Sequence, residues 1–156
     1  MSLGGAGGGR QQLQELSQQL QALEEQKSQI RAGIESLQAE QRDIDEAIEA
    51  LETIESGSTV QVPVGGGAYV RASVEDIDEV IVDLGADYAA ERTRSGAVES
   101  LEAKKGTLDD RIADLRESLA EIDQESNQLE ERAQQAQQQL VQQQMQQTQR
   151  EQGDDE

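Results

Sequence analysis

The chain has 156 residues, of which 34% are hydrophobic and 1% aromatic, with no Phe and no Trp. This composition argues against a normal compact core in a chain of single-domain length. Lys and Arg number 13 against 33 Asp and Glu, which gives a formal net charge of −20. A charge of this sign repels phosphate backbones and anionic lipids, so we expect neither a nucleic acid nor a membrane surface as a partner.

Two residue types that many enzymes use are missing, because the chain has neither Cys nor His. Without them there is no disulfide framework, no thiolate chemistry and no histidine to act as base or metal ligand. Acidic pairs such as Asp109 and Asp110 are typical of a solvated helix face, since adjacent helical residues do not face each other. The segments around Asp43 and Asp76 lack the central Gly and closing Glu of a calcium loop. We therefore predict no enzyme activity, no catalytic residue, no metal site and no cofactor.

Nothing in the sequence predicts a membrane segment or an export signal. No apolar run approaches the roughly 20 residues of a membrane-spanning helix. The first residues also lack a charged segment followed by an apolar one. We therefore expect a soluble, cytoplasmic protein.

Residues 1–10 are rich in glycine. A phosphate-binding loop would need a preceding strand and a following G-K-[ST] motif, and neither is present. We therefore predict that this segment is a flexible tail.

Residues 11–55 have the heptad pattern of a coiled-coil helix. With Leu13 at position a, every d position from Leu16 onward is apolar. The a series is interrupted by polar residues at Lys27 and Gln41. Polar residues at a cost stability but fix the register and the choice of partner. For Lys27 we favour a simpler interpretation, in which the aliphatic stem packs and the ammonium group reaches solvent.

Residues 56–93 are the only part of the chain with a β pattern. Val alternates with other residues in short runs, which is typical of half-buried strands. Glycines at 65–67 and at Gly85 supply the backbone conformations of two tight turns. The sequence therefore predicts two β-hairpins.

These hairpins need a partner, because a two-stranded ribbon is marginal in water unless further strands or a covered face support it. Pro63 cannot donate to a strand ladder, so its strand lies at an edge or ends there. An open edge is either a hazard or a docking surface. The predicted oligomerisation residues are Val60, Val62, Val64, Tyr69, Val70, Val74, Val80, Val82, Leu84 and Tyr88.

Heptad spacing resumes in residues 94–145, with polar interruptions at Lys105 and Ser126. The two helices must form an antiparallel coiled-coil hairpin or find partners in separate chains. We favour the hairpin, because its second helix is always at high local concentration. The expected fold is thus mainly α with a small β insert: a long antiparallel coiled-coil hairpin joined by two β-hairpins. Folding it back places Lys27 opposite Glu125 and Ser126.

The end of the second helix has a distinct composition. Between residues 134 and 149, eleven of sixteen residues are Gln, and the apolar seam thins to Ala and then to isolated larger residues. We expect the helix to fray there. Residues 146–156, Gln-rich and then acidic, are predicted to be a tail.

The order of these segments resembles the alpha subunits of archaeal prefoldin over nearly the whole chain. The heptads alone would match any coiled coil, and the specific part is the insert, with V-P-V-G (62–65), Tyr69-Val70, V-I-V (80–82) and L-G-A (84–86). The acidic excess, with only three Lys, resembles a version from a salt-loving archaeon. Asp87 departs from the family pattern, in which a small residue is expected, and this bears on the type of the second turn.

The resemblance implies a chaperone subunit that acts without ATP. In that family two alpha subunits pair through their doubled hairpins, and four beta subunits with one hairpin each complete a β-barrel platform between subunits. Coiled coils extend from the platform, and their tips hold non-native proteins for delivery to a group II chaperonin. The implied partners are therefore a second alpha subunit, beta subunits, unfolded client proteins and the chaperonin.

The holding mechanism would rest on seams that end without a partner. Ala133 and Ala136 replace Leu on the second helix, so part of the apolar area near the helix ends is expected to stay accessible. Apolar surface contributes about 25 cal/mol per Å², or about 1 to 2 kcal/mol for each exposed Leu. Several weak contacts add through effective concentration. The predicted client-binding residues are Leu13, Leu16, Leu20, Leu140, Val141 and Met145.

Two other interpretations remain open. The same leucines could close the hairpin without binding anything, and the chain could then be a structural coiled-coil tether or dimerisation scaffold with no client. The doubled hairpins favour the chaperone, because a spacer has no need of open β edges. An enzyme is a distant third.

The charge predicts a dependence of stability on salt. A net charge of −20 generates self-repulsion in the folded state. The Debye length falls from about 10 Å at 0.1 M to about 3 Å at 1 M, so added salt screens this repulsion. We expect a higher melting temperature at about 2 M than at about 0.1 M salt, measured by circular dichroism. Equal melting temperatures would contradict a salt-adapted chain.

Overall fold

The computed structural model describes residues 4–153. In chain order its elements are α1 (Gly4–Thr53), β1 (Thr59–Gly65), β2 (Ala68–Ser73), β3 (Val80–Gly85), β4 (Tyr88–Arg92) and α2 (Arg94–Gly153). The strands form two separate antiparallel sheets, β1 with β2 and β3 with β4. The predicted fold, mainly α with two β-hairpins between two long helices, is confirmed.

Both helices extend beyond the boundaries that the heptads suggested. α1 begins at Gly4, inside the glycine-rich segment expected to be a tail. α2 continues to Gly153, through the Gln-rich stretch in which fraying was expected. Gln is a good helix former, which accounts for the extension of α2. The parts of the predicted tails at residues 1–3 and 154–156 lie outside the described residues.

The chain divides into two compact units. We call Glu35–Ala113 the hairpin unit, and Met1–Ile34 together with Asp114–Glu156 the helix-end unit. In the helix-end unit, Gly33 lies against Leu115, and a position nearer the start of α1, Gly9, lies against Leu140. Residue numbers therefore rise along one helix as they fall along the other, and the two segments are antiparallel.

In the hairpin unit, polar residues at position a of one helix pair with aspartates at position e of the other. Lys105 Nζ lies 2.7 Å from Asp45 Oδ1, and Gln41 Nε2 donates a hydrogen bond to Asp109 Oδ1. In both pairs the residue numbers add to 150, which defines the register. The hydrogen bond to Asp45 raises the pKa of Lys105 above its usual 10.5. Because that pKa is raised, the interaction is fully present at neutral pH and is lost as the pH rises through the folded-state value.

The helix-end unit contains a pair of the same kind. Lys27 Nζ lies 2.7 Å from Asp123 Oδ1 and 3.8 Å from Glu24 Oε2, and the Lys27 side chain is only 11% exposed. The expectation that this ammonium reaches solvent is therefore wrong, because it binds the carboxylate of Asp123, whose side chain is about half exposed at the edge of the helix pair. The expected register is also shifted, since Lys27 lies opposite Asp123 rather than Glu125. Ser126, one turn from Asp123, is buried.

Each unit also contains buried apolar residues on the helices that carry these polar pairs. In the helix-end unit Leu16, Leu23 and Leu129 form a buried cluster, and partly buried apolar residues pack against it. In the hairpin unit Ile44, Leu108, Ile112, Ala97 and Val82 are buried. The cluster buries Leu16, for which the sequence predicted partial exposure.

The Lys27 and Asp123 pair can be tested by exchanging its charges. Lys27→Asp places two carboxylates together at a covered position, and we expect it to lower the free energy of unfolding by about 3 kcal/mol. The double variant K27D/D123K restores the opposite charges and should recover part of that loss. The control is Arg31→Asp, because Arg31 and Glu24 are both more than half exposed and such pairs contribute less than about 1 kcal/mol. Chemical denaturation gives all the values, and equal losses for K27D and the double variant would refute the pairing.

Candidate interaction surfaces

The two hairpins are held where the helices meet the insert. Thr93 Oγ1 accepts a hydrogen bond from the Gly96 amide at 3.1 Å, so Thr93 caps the start of α2. The guanidinium of Arg94 donates to the carbonyl of Ile54, just beyond the end of α1. The backbone amide of Arg94 donates to Asp78 Oδ1 at 3.3 Å. Residues 93 and 94 thus cap α2, bind the carbonyl that follows α1 and contact the connection between β2 and β3.

The first hairpin turns at Gly66 and Gly67, whose φ angles are +60° and +81°. Two consecutive positive φ angles define the type I′ turn, which matches the twist of paired strands and favours glycine. The register shifts between Pro63 and Gly65, so that Val64 has no partner opposite it. The glycine run therefore forms the turn that the sequence predicted.

The second hairpin has the same geometry without the glycine pair. Ala86 and Asp87 have φ angles of +50° and +61°, and the register shifts at the equivalent point before the turn. Asp83 Oδ1 accepts a hydrogen bond from the Gly85 amide at 2.9 Å, which supports the turn. Asp87, the departure from the family pattern, thus leaves the turn type unchanged, because Asp tolerates the left-handed region better than most residues.

The apolar residues of the hairpins differ in exposure. Seven large apolar side chains are between 44% and 76% exposed: Val62, Val64, Tyr69, Val70, Ile81, Leu84 and Tyr88. Val60, Val74 and Val80 are half-buried, and Val82 is buried. Exposed apolar side chains therefore lie on both ribbons. Such exposure on a single chain is typical of an interaction site.

Within the insert, the exposure of Val82 and of Ile81 differs from what the sequence predicted. Val82 lines an apolar groove with Leu51 and Leu101, so its contacts lie within the hairpin unit of the same chain. Ile81 also borders that groove, yet it is the most exposed large apolar residue of the insert. The signal for Ile81 was present in the V-I-V run, where an apolar residue occupies the face that alternation assigns to polar ones.

The predicted client-binding residues also separate into groups. Val141 is 48% exposed and Met145 is 65% exposed, while Leu13, Leu20 and Leu140 are half-buried. Leu16 is only 7% exposed, so the expectation that it stays accessible is wrong. Its side chain lies in a cluster with Leu23 and Leu129, and Ala133, one of the Ala residues that replace Leu on α2, packs against the same cluster.

Within residues 4–153, no group of three or more acidic side chains is arranged to hold a metal ion. Neither α1 nor α2 contains a stretch apolar and long enough to cross a membrane.

Two long antiparallel helices that flank a pair of open-edged hairpins define a class of coiled-coil assembly subunits. A family model described as "Prefoldin subunit" matches residues 23–139. The chain belongs to the prefoldin family and is a chaperone subunit.

Its relatives support the resemblance to archaeal alpha subunits. Prefoldin subunit alpha of Haloarcula marismortui is 56% identical over 114 residues, which are 73% of this chain and 74% of the relative. The protein of the same name from Methanosarcina mazei is 38% identical over 111 residues, 71% of this chain and 78% of the relative. A chain in the cryo-EM structure of filamentous PFD from Methanocaldococcus jannaschii has a TM-score of 0.64 and 28% identity, and the match covers 72% of this chain and 96% of that chain.

The difference between Val70 and Val82 yields a prediction about assembly. Val70 is 52% exposed, so Val70→Asp should leave the single chain folded and remove apolar area only from a contact with another chain. Val82 is 6% exposed, so Val82→Asp buries a charge and should lower the stability of the chain itself by about 3 kcal/mol or more. Light scattering and thermal denaturation separate the two effects.

We expect the parent chain alone to be at least a dimer, and V70D to have a smaller mass and a melting temperature that no longer depends on protein concentration. V82D should melt at a lower temperature. A monomeric parent, or a V70D variant that assembles like the parent, would contradict the assignment of this surface.

Proposed function

We propose that this prefoldin subunit holds non-native proteins, without using a nucleotide, where the start of α1 meets the end of α2. The observation that supports it best is the exposure of Val141 and Met145, which lie one turn apart on the same face of α2. Both are large apolar side chains near the end of α2, in a chain with a formal net charge of −20. Their exposure costs free energy in water, which a bound apolar segment of a client would recover.

The surroundings of these residues suit a client of unspecified sequence. No charged residue occurs between Arg132 and Arg150, although the whole chain carries a net charge of −20. A shallow concave surface there is formed by Val141 and the glutamines 134, 137, 138 and 142. Long uncharged amides can donate and accept hydrogen bonds, so they accommodate an exposed client backbone without a fixed charge pattern. The surface therefore selects for unfolded character and not for a particular sequence.

The assembly that we propose has two alpha and four beta subunits around a β-barrel platform. The two hairpins supply what this arrangement needs, namely open strand edges and exposed apolar side chains on both ribbons. Six holding surfaces in one complex would grip a client through several weak contacts, which allows both retention and release. We further propose that the complex works in the cytoplasm and passes its clients to a group II chaperonin.

A structural tether is the second candidate, and the burial of Leu16 favours it in one respect. Leu16 closes the helix pair as a tether would require, and so it is not available to a client. Val141 and Met145 have no such role, since each is about half exposed or more. A tether gains nothing from these two side chains.

The double variant V141S/M145S tests the holding function. It removes the exposed apolar area but no buried contact, so we expect assembly and melting temperature close to those of the parent. Capture of citrate synthase unfolded in guanidinium chloride should fall several-fold, because each lost side chain contributes about 1 to 2 kcal/mol at most. Light scattering without nucleotide measures the suppression of aggregation by the assembled complex.

The matched control is Q142S/Q146S, which makes two substitutions in the same turns of α2 and removes no large apolar side chain. It has a similar cost in helix propensity. If V141S/M145S suppresses aggregation as well as this control and the parent do, client binding at the end of α2 is refuted and the tether is favoured.

A further inference from the structure

The first described turns of α1 lie directly on a side chain of α2. A Cβ atom added to Gly9 would come within 2.8 Å of Leu140 Cδ2 and 3.2 Å of Leu140 Cγ. A side chain at position 9 would therefore have to displace Leu140, and glycine lets the α1 backbone approach it closely. Gly9 and Leu140 are both half-buried. Gly9 therefore covers part of the Leu140 side chain.

The helical segment that makes this contact has low intrinsic stability. Residues 7, 8 and 9 are consecutive glycines, and each lowers the helix-forming equilibrium about fivefold relative to alanine. No atom lies within 4 Å of a Cβ added to Gly7 or Gly8, so packing at these positions does not compensate. The first turn also has no acidic residue to interact with the helix dipole. Such a segment opens more readily than the Leu-rich turns that follow it.

The residue that it covers adjoins the exposed apolar pair. Leu140 immediately precedes Val141, and Met145 follows one turn later on α2. When residues 7–10 leave the helix, Leu140 loses the contact with Gly9 and its side chain becomes accessible. The apolar surface at this end of α2 would then contain three large side chains where the closed form exposes two.

We propose that residues 7–10 act as a cover that opens and closes over Leu140 and thereby sets how much apolar surface a client meets. This inference rests on the proposed function, because it assigns a regulating role at the same holding surface. The glycines set the equilibrium between the two forms. They weaken the helical, closed form of residues 7–10, and of the three glycines only Gly9 makes a close contact with Leu140. A client that binds Leu140 together with Val141 and Met145 then stabilises the open form by mass action.

The closed form can be stabilised without touching Leu140. In G7A/G8A, both new methyl groups point into open space and each raises helix formation about fivefold. We expect deuterium uptake in peptides covering residues 7–13 to slow by up to about 25-fold, and capture of unfolded citrate synthase to fall. The matched control is Gly106→Ala in the hairpin unit, where an added Cβ also meets nothing within 4 Å. It strengthens α2 without strengthening the cover, so it should capture clients like the parent.

The open form can be favoured by Arg10→Pro. Proline is well tolerated at the first position of a helix, so α1 can begin at residue 10 and keep the turns that contain Leu13 and Leu16. The residue before a proline is disfavoured in the helical conformation, so Gly9 should leave Leu140. We expect faster deuterium uptake before residue 10 and greater capture than in the parent. Arg10→Gln reports the effect of the lost charge, and R10P/L140S should lose the gain.

The outcomes separate this inference from the proposed function. If G7A/G8A slows deuterium uptake but captures clients like the parent, the cover has no regulating role. Equal capture by R10P and R10P/L140S also overturns it. If V141S/M145S loses capture while the glycine variants change nothing, the holding function stands and the cover fails. If V141S/M145S captures normally, both fail.

Discussion

The alignment of α1 with α2 depends on ionic and polar pairs along an apolar seam, in which the aspartates of the ion pairs are about half exposed. Lys27, Gln41 and Lys105 occupy position a, and each reaches an aspartate at position e of the opposite helix. Contacts between Leu and Ile side chains change little when helices slide, whereas a covered ammonium needs a carboxylate within hydrogen-bond distance. The apolar contacts therefore supply most of the stability, and the polar pairs select the register. That register decides which leucines are covered, including Leu16.

The two hairpins reach the same geometry with different chemistry. Both have a two-residue turn with positive φ angles and a shift of register just before it. The first uses a glycine pair, and the second uses Ala86 and Asp87 with support from the Asp83 carboxylate. Val82 anchors the second hairpin in a groove of its own unit, while the equivalent residue of the first, Val62, is 44% exposed. The first hairpin is therefore the one that gains more from an added partner.

Charged side chains and the exposed apolar pair near the end of α2 occupy different parts of the chain. The acidic excess occupies outward positions of the helices, where it opposes aggregation of the free chain. The stretch between Arg132 and Arg150 carries no charge and ends with exposed Val141 and Met145. In the holding function that we propose, an apolar surface of two or three side chains would bind weakly, which suits the release of a client. The glycines near the start of α1 lie at the same end, where Gly9 contacts Leu140.

The sequence by itself determined the two heptad helices, the two hairpins, the first turn and the absence of His and Cys, because local periodicity and composition are properties of the chain alone. It also carried the family resemblance, through the unusual order of motifs in the insert. Periodicity assigns a residue to a face but does not say whether that face is covered. Only the tertiary structure decided that Leu16 is buried, that Val82 packs within its own unit while Val70 stays exposed, and that Lys27 pairs with Asp123. Each of these depends on contacts between segments that are distant in the sequence, whose placement follows from the register and not from the local sequence.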